Sequence, residues 1–221
     1  MLRILIVSLF VFAATMAVPD RWVPGGDVQV SVLSEEKANE LFKEFVSHKE
    51  IIYEYAVDGC YARANAMSII AEEENIEMGK VFAEGDIFYD TKDPKYRVVN
   101  WGFHVAPIAL IKGSDGKIQK MVFDPSMFDK PVPVDEWLAK MKLNPRTKIN
   151  EAYYGSRFQV EPQSARNTKV HQWQNGVKAE TKETLEAIAL TVQPGYSSHF
   201  EKYIFQKARE KAALKKKGGV Q

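Results

Sequence analysis

At 221 residues the chain can build one domain of ordinary size, and 45% hydrophobic against 27% charged residues is a globular balance that excludes a disordered or low-complexity protein. A net charge of +1 gives no reason to expect nucleic acid as a partner. The single cysteine excludes an internal disulfide and any paired-cysteine metal site.

The chain opens on Met1-Leu2-Arg3, then an apolar run over 4–14, then small residues at Thr15-Met16-Ala17. This order reads as a secretory signal peptide over residues 1–17, too short to span a bilayer; the alternative is an uncleaved anchor. No later segment is apolar enough to cross a membrane. The mature protein is therefore expected to be secreted or periplasmic, without a membrane span after cleavage. An odd cysteine in an exported chain implies an intermolecular bridge or a free reactive thiol, and a buried inert cysteine is a third reading.

Residues 18–33 hold Pro19, Pro24, Gly25 and Gly26 and read as an extended lead-in, with a short strand at 29–33. Ser34 precedes Glu35 and Glu36, a capping residue followed by acids in a first helical turn. Ala38, Leu41, Phe42, Phe45 and Val46 then recur at helical spacing and form a core stripe. His48, at the far end, reads as a solvated or dipole-stabilising histidine.

The next stretch, Asp58-Gly59-Cys60-Tyr61-Ala62-Arg63-Ala64, holds the lone cysteine. Asp58 can cap a helix over 61–74 whose broad apolar face (Ala62, Ala66, Met67, Ile69, Ile70, Ala71) predicts deep burial. A cysteine in the first turn meets unpaired backbone N–H groups and the positive end of the helix dipole, a setting that favours the nucleophilic form of sulfur. Arg63, one turn on, either raises the local potential or plays a structural part by bonding a nearby carboxylate. Glu72-Glu73-Glu74-Asn75 reads as a solvated helix end.

Residues 79–89 read as a strand, and 90–95, with Pro94, as a turn. Residues 98–111 are rich in β-branched and aromatic side chains and form a long strand, followed by a Gly/Ser/Asp loop over 112–116 and a returning strand over 118–124. If the loop is those five residues, Ile111 faces Lys117 and His104 faces Asp124, with Cβ atoms about 5 Å apart on one face. A tight Asp115-Gly116 turn would instead set Asp124 opposite Pro107, and a bulge at Pro107 could alter either register. The longer loop, or a bulge of the same effect, is the expectation. Trp101 falls one strand residue off the face of His104 and reads as a cleft wall or as packing. Asn100 shares that face and could donate to a substrate. Tyr61 and Phe103 read as packing.

Pro131 and Pro133 break the chain, residues 134–141 make a short helix with Trp137 and Leu138 inward, and 152–160 could be a last strand. The polar stretch 161–177 carries His171, read as a surface histidine. A helix through Leu185, Ile188, Ala189 and Val192 stops at Pro194-Gly195; Ser198 with Glu201 is a capping box opening a last helix, and Lys215-Lys216-Lys217 begins a frayed tail. The expected division is signal peptide 1–17, lead-in 18–33, catalytic domain 34–160 and helical C-terminal extension 161–221, the last packing on the core without supplying chemistry. The fold class is α+β.

The motifs favour one chemistry. There is no HExxH, no glycine-rich phosphate loop and no G-x-S-x-G elbow, so neither metal nor cofactor is expected. What remains is a thiol nucleophile, Cys60, with a base at Trp101-Gly102-Phe103-His104-Val105-Ala106 and a carboxylate at Phe123-Asp124-Pro125-Ser126-Met127-Phe128. The Cys60 backbone N–H can contribute to an oxyanion hole. These three stretches, in this order, resemble the motifs of the bacterial protein-glutaminase (protein-glutamine deamidase) family over residues 57–128. The resemblance implies a papain/transglutaminase-like core, in which the nucleophile starts a helix packed on an antiparallel sheet, with C-terminal helices added. It implies Cys60 as nucleophile, His104 as base, Asp124 as orienting acid, and a monomer acting on exposed glutamine in proteins or peptides. Two departures stand out. Secreted members of the family carry disulfides, and the lead-in here is too short to match their pro-segment. The rival readings are a transglutaminase or cysteine peptidase on the same triad, and an exported binding protein without catalysis.

Overall fold

A computed structural model describes residues 29–91, 94–162 and 172–192. The expected signal peptide, His171 and everything expected beyond residue 192 lie outside these residues.

The described chain folds into six strands and four helices. They are β1 (Val32–Ser34), α1 (Glu35–Ser47), α2 (Cys60–Glu73), β2 (Gly79–Asp90), β3 (Val98–Lys112), β4 (Ile118–Val122), β5 (Val132–Pro133), α3 (Val134–Met141), β6 (Lys148–Ser156) and α4 (Val177–Val192). The sheet runs β5-β4-β3-β2-β6 through antiparallel pairs, and β1 joins it parallel to the end of β3. The β2 ladder on β3 stops at Ile108, so β1 takes up that side of β3 from Leu110 onward.

Local chemistry explains where the helices begin. The Ser34 side chain accepts the Lys37 N–H at 3.1 Å, satisfying one of the donors that a helix start leaves open. Helix α2 starts differently from expectation. Its N-cap is Gly59 in the left-handed region (φ 84°), with no side-chain cap, while the Asp58 carboxylate accepts the Gly59 N–H at 2.6 Å. Asp58 thus stabilises the turn one residue ahead of the helix, and only a glycine holds the next conformation without strain.

The sheet separates two apolar layers. On one side α1, α2 and α4 bury Leu41, Phe42, Phe45, Met67, Ile69, Ile70 and Leu185 against Ala109, Ile111 and Phe123. On the other, α3 buries Trp137, Leu138 and Met141 against Val81, Ala83, Ala106 and Ile108. Helix α2 is enclosed all round, since every residue from 62 to 71 is buried. Helix α4 belongs to the same core: Leu185 is fully buried in it, and Thr181 accepts a hydrogen bond from Asn65 of α2 at 3.0 Å.

Three local expectations are corrected. His48 is buried beside Glu50, with Nδ1 at 3.3 Å from Oε1, rather than solvated. Glu72 is not a free helix end, because it accepts Arg157 Nε at 2.6 Å and the Trp173 indole N–H. The β3–β4 hairpin pairs Ile111 with Gln119, not Lys117, which places the turn over Gly113–Lys117. The bulge falls in β2, between Glu84 and Ile87, while Pro107 stays in the ladder opposite Lys80.

Candidate active site

The hairpin register brings Asp124 to the site by another route than the one expected. Continuing the observed pairing would set Asp124 diagonally from His104, two residues away along the ladder. An offset of two keeps both side chains on one face, and diagonal neighbours about 7–8 Å apart remain within reach of long side chains. The ladder also ends here: Phe123 N–H makes the last bond, to Pro107 O at 2.9 Å, and Asp124 enters a turn closed by Met127 and Phe128 N–H on its carbonyl. Freed from the strand, the carboxylate closes the gap, and Oδ2 lies 2.8 Å from His104 Nε2.

Asp124 is buried and takes four donors. Oδ2 accepts from His104 Nε2 and from the Trp137 indole N–H, each at 2.8 Å. Oδ1 accepts the Ser126 N–H at 3.2 Å and the Ser126 hydroxyl at 2.5 Å. Burial pushes the Asp124 carboxyl upward, but His104 and these donors outweigh it and hold the group below the usual carboxylate range. The Ser126 bonds form an Asx turn, the local motif an Asp two residues before a serine favours.

His104 is 2% exposed. Burial lowers its pKa, yet the Asp124 charge, its hydrogen bond and the nearby Cys60 sulfur raise it to about 9. An ionised Asp124 can only accept, so Nε2 carries the proton of that bond. Nδ1 is the nitrogen left for other work, and it is buried without a hydrogen-bond partner. The ring is stacked by two indoles: Trp101 at 4.6 Å and 16°, Trp137 at 5.4 Å and 21°. Trp101 was expected one residue off this face. The strand's alternation slips near the β2 bulge, so residues three apart share a side. Trp101 also donates its indole N–H to Ala56 O at 2.8 Å, tying the ring cover to the loop that leads into Cys60. Asn100 is exposed opposite Phe88, on the other side of the strand from Trp101, and so does not share the His104 face.

Cys60 is the first residue of α2 and is half-buried, with Tyr61, Ala64, Phe82, Phe103, Val105 and Tyr153 around it. The first ladder bond of the helix runs from Arg63 N–H to Gly59 O at 3.0 Å. The N–H groups of Cys60, Tyr61 and Ala62 therefore precede the ladder and can meet an anion. Arg63 is buried and bonds backbone rather than a carboxylate: Nη1 donates to Tyr55 O at 3.1 Å and Asp58 O at 3.0 Å. It fixes the loop that delivers the cysteine. Tyr61 packs outward onto α4, its hydroxyl 2.8 Å from Thr184 Oγ1.

Beneath α2 lies Lys80, fully buried. Its Nζ donates to Asn65 Oδ1 and, at 2.6 Å, to Gln159 O. Burial lowers its pKa to about 7, with Cys60 and Glu72 acting in the opposite sense. Sequence reasoning missed Lys80, Ser126 and the functional position of Trp137; of these only the Asp-Pro-Ser spacing carried a local signal. Among the described residues no three His, Cys, Asp or Glu side chains are grouped so as to hold a metal ion.

The fold is α+β with a papain/transglutaminase-like core. A family model described as a glutaminase matches residues 38–141, a segment holding Cys60, His104 and Asp124. Solved structures agree on the fold. A crystal structure of protein-glutaminase matches with a TM-score of 0.63 at 21% identity, over 78% of this chain and 97% of that one. The NMR structure of protein-glutaminase from Chryseobacterium proteolyticum matches at 0.60 and 22% identity, over 77% and 95%. A crystal structure of pro-protein-glutaminase matches at 0.63 and 22%, over 77% of this chain and 63% of that one. No curated protein sequence matches the chain.

Proposed function

We propose that this protein deamidates glutamine residues in proteins and peptides, with Cys60 as nucleophile, His104 as proton carrier and Asp124 as its orienting acid. The observation that carries the reading is the meeting of a half-buried cysteine at a helix start with a buried imidazole whose far nitrogen is held by a carboxylate at 2.8 Å, all within the family-matched segment. The matched structures are of protein-glutaminase, which supports protein-bound glutamine as substrate.

The steps follow from the geometry. His104 Nδ1 takes the Cys60 proton, since Nε2 is committed to Asp124. The sulfur attacks the side-chain carbonyl carbon of glutamine, and the oxyanion is met by the open N–H groups of the first α2 turn, that of Cys60 among them. The tetrahedral adduct collapses as Nδ1 gives its proton to the departing nitrogen, releasing ammonia and leaving a thioester. His104 then takes a proton from water, whose oxygen attacks the thioester carbon. Collapse expels the sulfur, Nδ1 returns the proton to it, and glutamate remains. Asp124 keeps Nε2–H in place and stabilises the ring whenever it is charged. Trp101, half-buried beside the ring, forms one wall of the cleft. Export follows from residues 1–17, and among the described residues no helix is long and apolar enough to cross a membrane.

The test offers a glutamine-containing protein to wild type and to Cys60→Ala, with and without a primary amine. Expected are ammonia release and a mass gain of about one dalton per modified glutamine, both absent in the variant. Amine incorporation would mark a transglutaminase, chain fragments a peptidase, and an active Cys60→Ala would overturn the thiol mechanism altogether.

A further inference from the structure

We propose that Trp137 is a positioning residue of the reaction, acting on the triad through both its ring and its indole N–H. The inference rests on the functional reading above and assigns a part to a side chain outside the three motifs that carry it.

Three observations converge on this tryptophan. It donates to Asp124 Oδ2 at 2.8 Å, the same oxygen that receives His104 Nε2–H. Its ring stacks on the imidazole at 5.4 Å and 21°, as that of Trp101 does at 4.6 Å and 16°. It is fully buried on α3, so it touches neither solvent nor a bound substrate and must act through its neighbours.

Each contact has a distinct consequence. A carboxylate can rotate about its Cβ–Cγ bond and present either oxygen. With Ser126 holding Oδ1 from one side and the indole N–H holding Oδ2 from the other, that rotation is blocked and Oδ2 stays in line with Nε2. The donated N–H also favours the ionised carboxylate, the form that can accept from the ring. The indole ring meanwhile stacks on an imidazole that is cationic whenever it holds the transferable proton, and an aromatic ring favours a cation. Two indole contacts and the carboxylate bond restrain the imidazole, so Nδ1 keeps its aim while protons move. Misplacing a reacting group by an ångström can cost about a hundredfold in rate.

A tryptophan that merely filled the core would contribute volume alone, and the experiment separates the two. Trp137→Phe keeps a ring over the imidazole and removes the N–H. Replacing Trp137 by 3-benzothienylalanine removes the N–H at nearly constant shape, which guards against a misfolded Phe variant. Expected for both are a kcat lowered by about 10- to 100-fold with KM within about twofold. The downfield proton resonance of the His104–Asp124 hydrogen bond should broaden or disappear, at unchanged secondary structure by circular dichroism. Wild-type kcat together with an intact downfield resonance in the folded benzothienyl protein overturns the inference. Cys60→Ala, assayed in parallel, keeps the two ideas apart. An inactive Cys60→Ala beside an unimpaired Trp137 variant sinks only the tryptophan's role, whereas an active Cys60→Ala sinks the triad reading beneath it.

Discussion

Replacing Asp124 by asparagine tests the proposed chemistry most directly. In the wild type each carboxylate oxygen accepts two hydrogen bonds, Oδ2 from His104 and Trp137 and Oδ1 from Ser126. An amide has one accepting oxygen, so one pair of donors must face its NH2 group. The least costly orientation keeps the oxygen toward His104 and Trp137, because the Ser126 hydroxyl can turn to accept while its N–H cannot. The ring then keeps a hydrogen bond but loses its counter-charge. Burial, which lowers the His104 pKa, is no longer opposed by the Asp124 charge that helps raise it to about 9. The pKa should fall below the ordinary value of about 6.5, a change of roughly 3 kcal/mol at about 1.4 kcal/mol per unit.

The pH profile carries the sign. In the wild type the imidazolium that protonates departing ammonia persists until pH rises through about 9, so the alkaline limb of kcat should lie there. In Asp124→Asn that limb should move below about 6.5, leaving under a tenth of the ring charged at pH 7.5. Added to lost orientation, this predicts a kcat lowered by about 10²- to 10⁴-fold at neutral pH. Stability should fall less than the ~3–5 kcal/mol typical of orphaning a buried charge, because the ring can shed its proton instead. The assay is ammonia release from a glutamine peptide between pH 5 and 10, with thermal melts alongside. A variant whose alkaline limb stays near 9 would refute the assignment of that limb to His104 held by Asp124.

The other predictions need fewer steps. Cys60→Ser and His104→Ala should each lower kcat by several orders of magnitude while leaving the melting temperature of the cysteine variant nearly unchanged, as steady-state kinetics and calorimetry would show. Gly59→Ala should destabilise by at least about 1–2 kcal/mol, since Gly59 is left-handed and an added Cβ would lie 2.3 Å from Ile188 Cδ1; adding Ile188→Ala should relieve the clash but not the backbone strain, so thermal melts should show no full recovery. Lys80→Met should change the pH dependence of stability in urea. The lowered Lys80 pKa makes stability rise between pH 7 and about 10.5, while the raised His104 pKa makes it fall between about 6.5 and 9, so the wild type should be nearly flat from 7 to 9 and the variant should decline by up to about 1.4 kcal/mol per unit.

Much of the scaffold was legible because local chemistry decided it. Ser34 followed by two glutamates specified the start of α1, and the run of small and apolar residues after Cys60 specified a helix with no solvated side. The long β-branched stretch of β3 read correctly at both ends. What could not be read depends on contacts between distant segments. The hairpin register turns on whether Lys117 pairs with Ile111 or with Gly113, a choice local propensity hardly weights. Trp101 left its expected face because a bulge in the neighbouring strand shifts the alternation, and nothing in residues 98–104 announces it. Trp137 was legible as an inward residue of a short helix, but its bond to Asp124 spans two elements joined only in the fold.

The position of Cys60, the proposed nucleophile, is itself over-determined by groups on other elements. Helix α2 is tied to the sheet by Lys80 through Asn65, to α4 by Asn65–Thr181 and Tyr61–Thr184, and to its entering loop by Arg63. Burying the charge of Lys80 opposes folding, as its lowered pKa records, and an apolar residue of similar volume would pack there at less electrostatic cost. Its two oxygen partners, on α2 and at Gln159, give that charge directions that a hydrocarbon chain lacks. A sulfur that must meet Nδ1 within tenths of an ångström gains more from directional restraints than from burial, which is non-directional. On this argument α4 is part of the proposed catalytic unit although it lies beyond the family-matched segment. It contacts the residue after the nucleophile through Thr184 and crowds the glycine before it through Ile188.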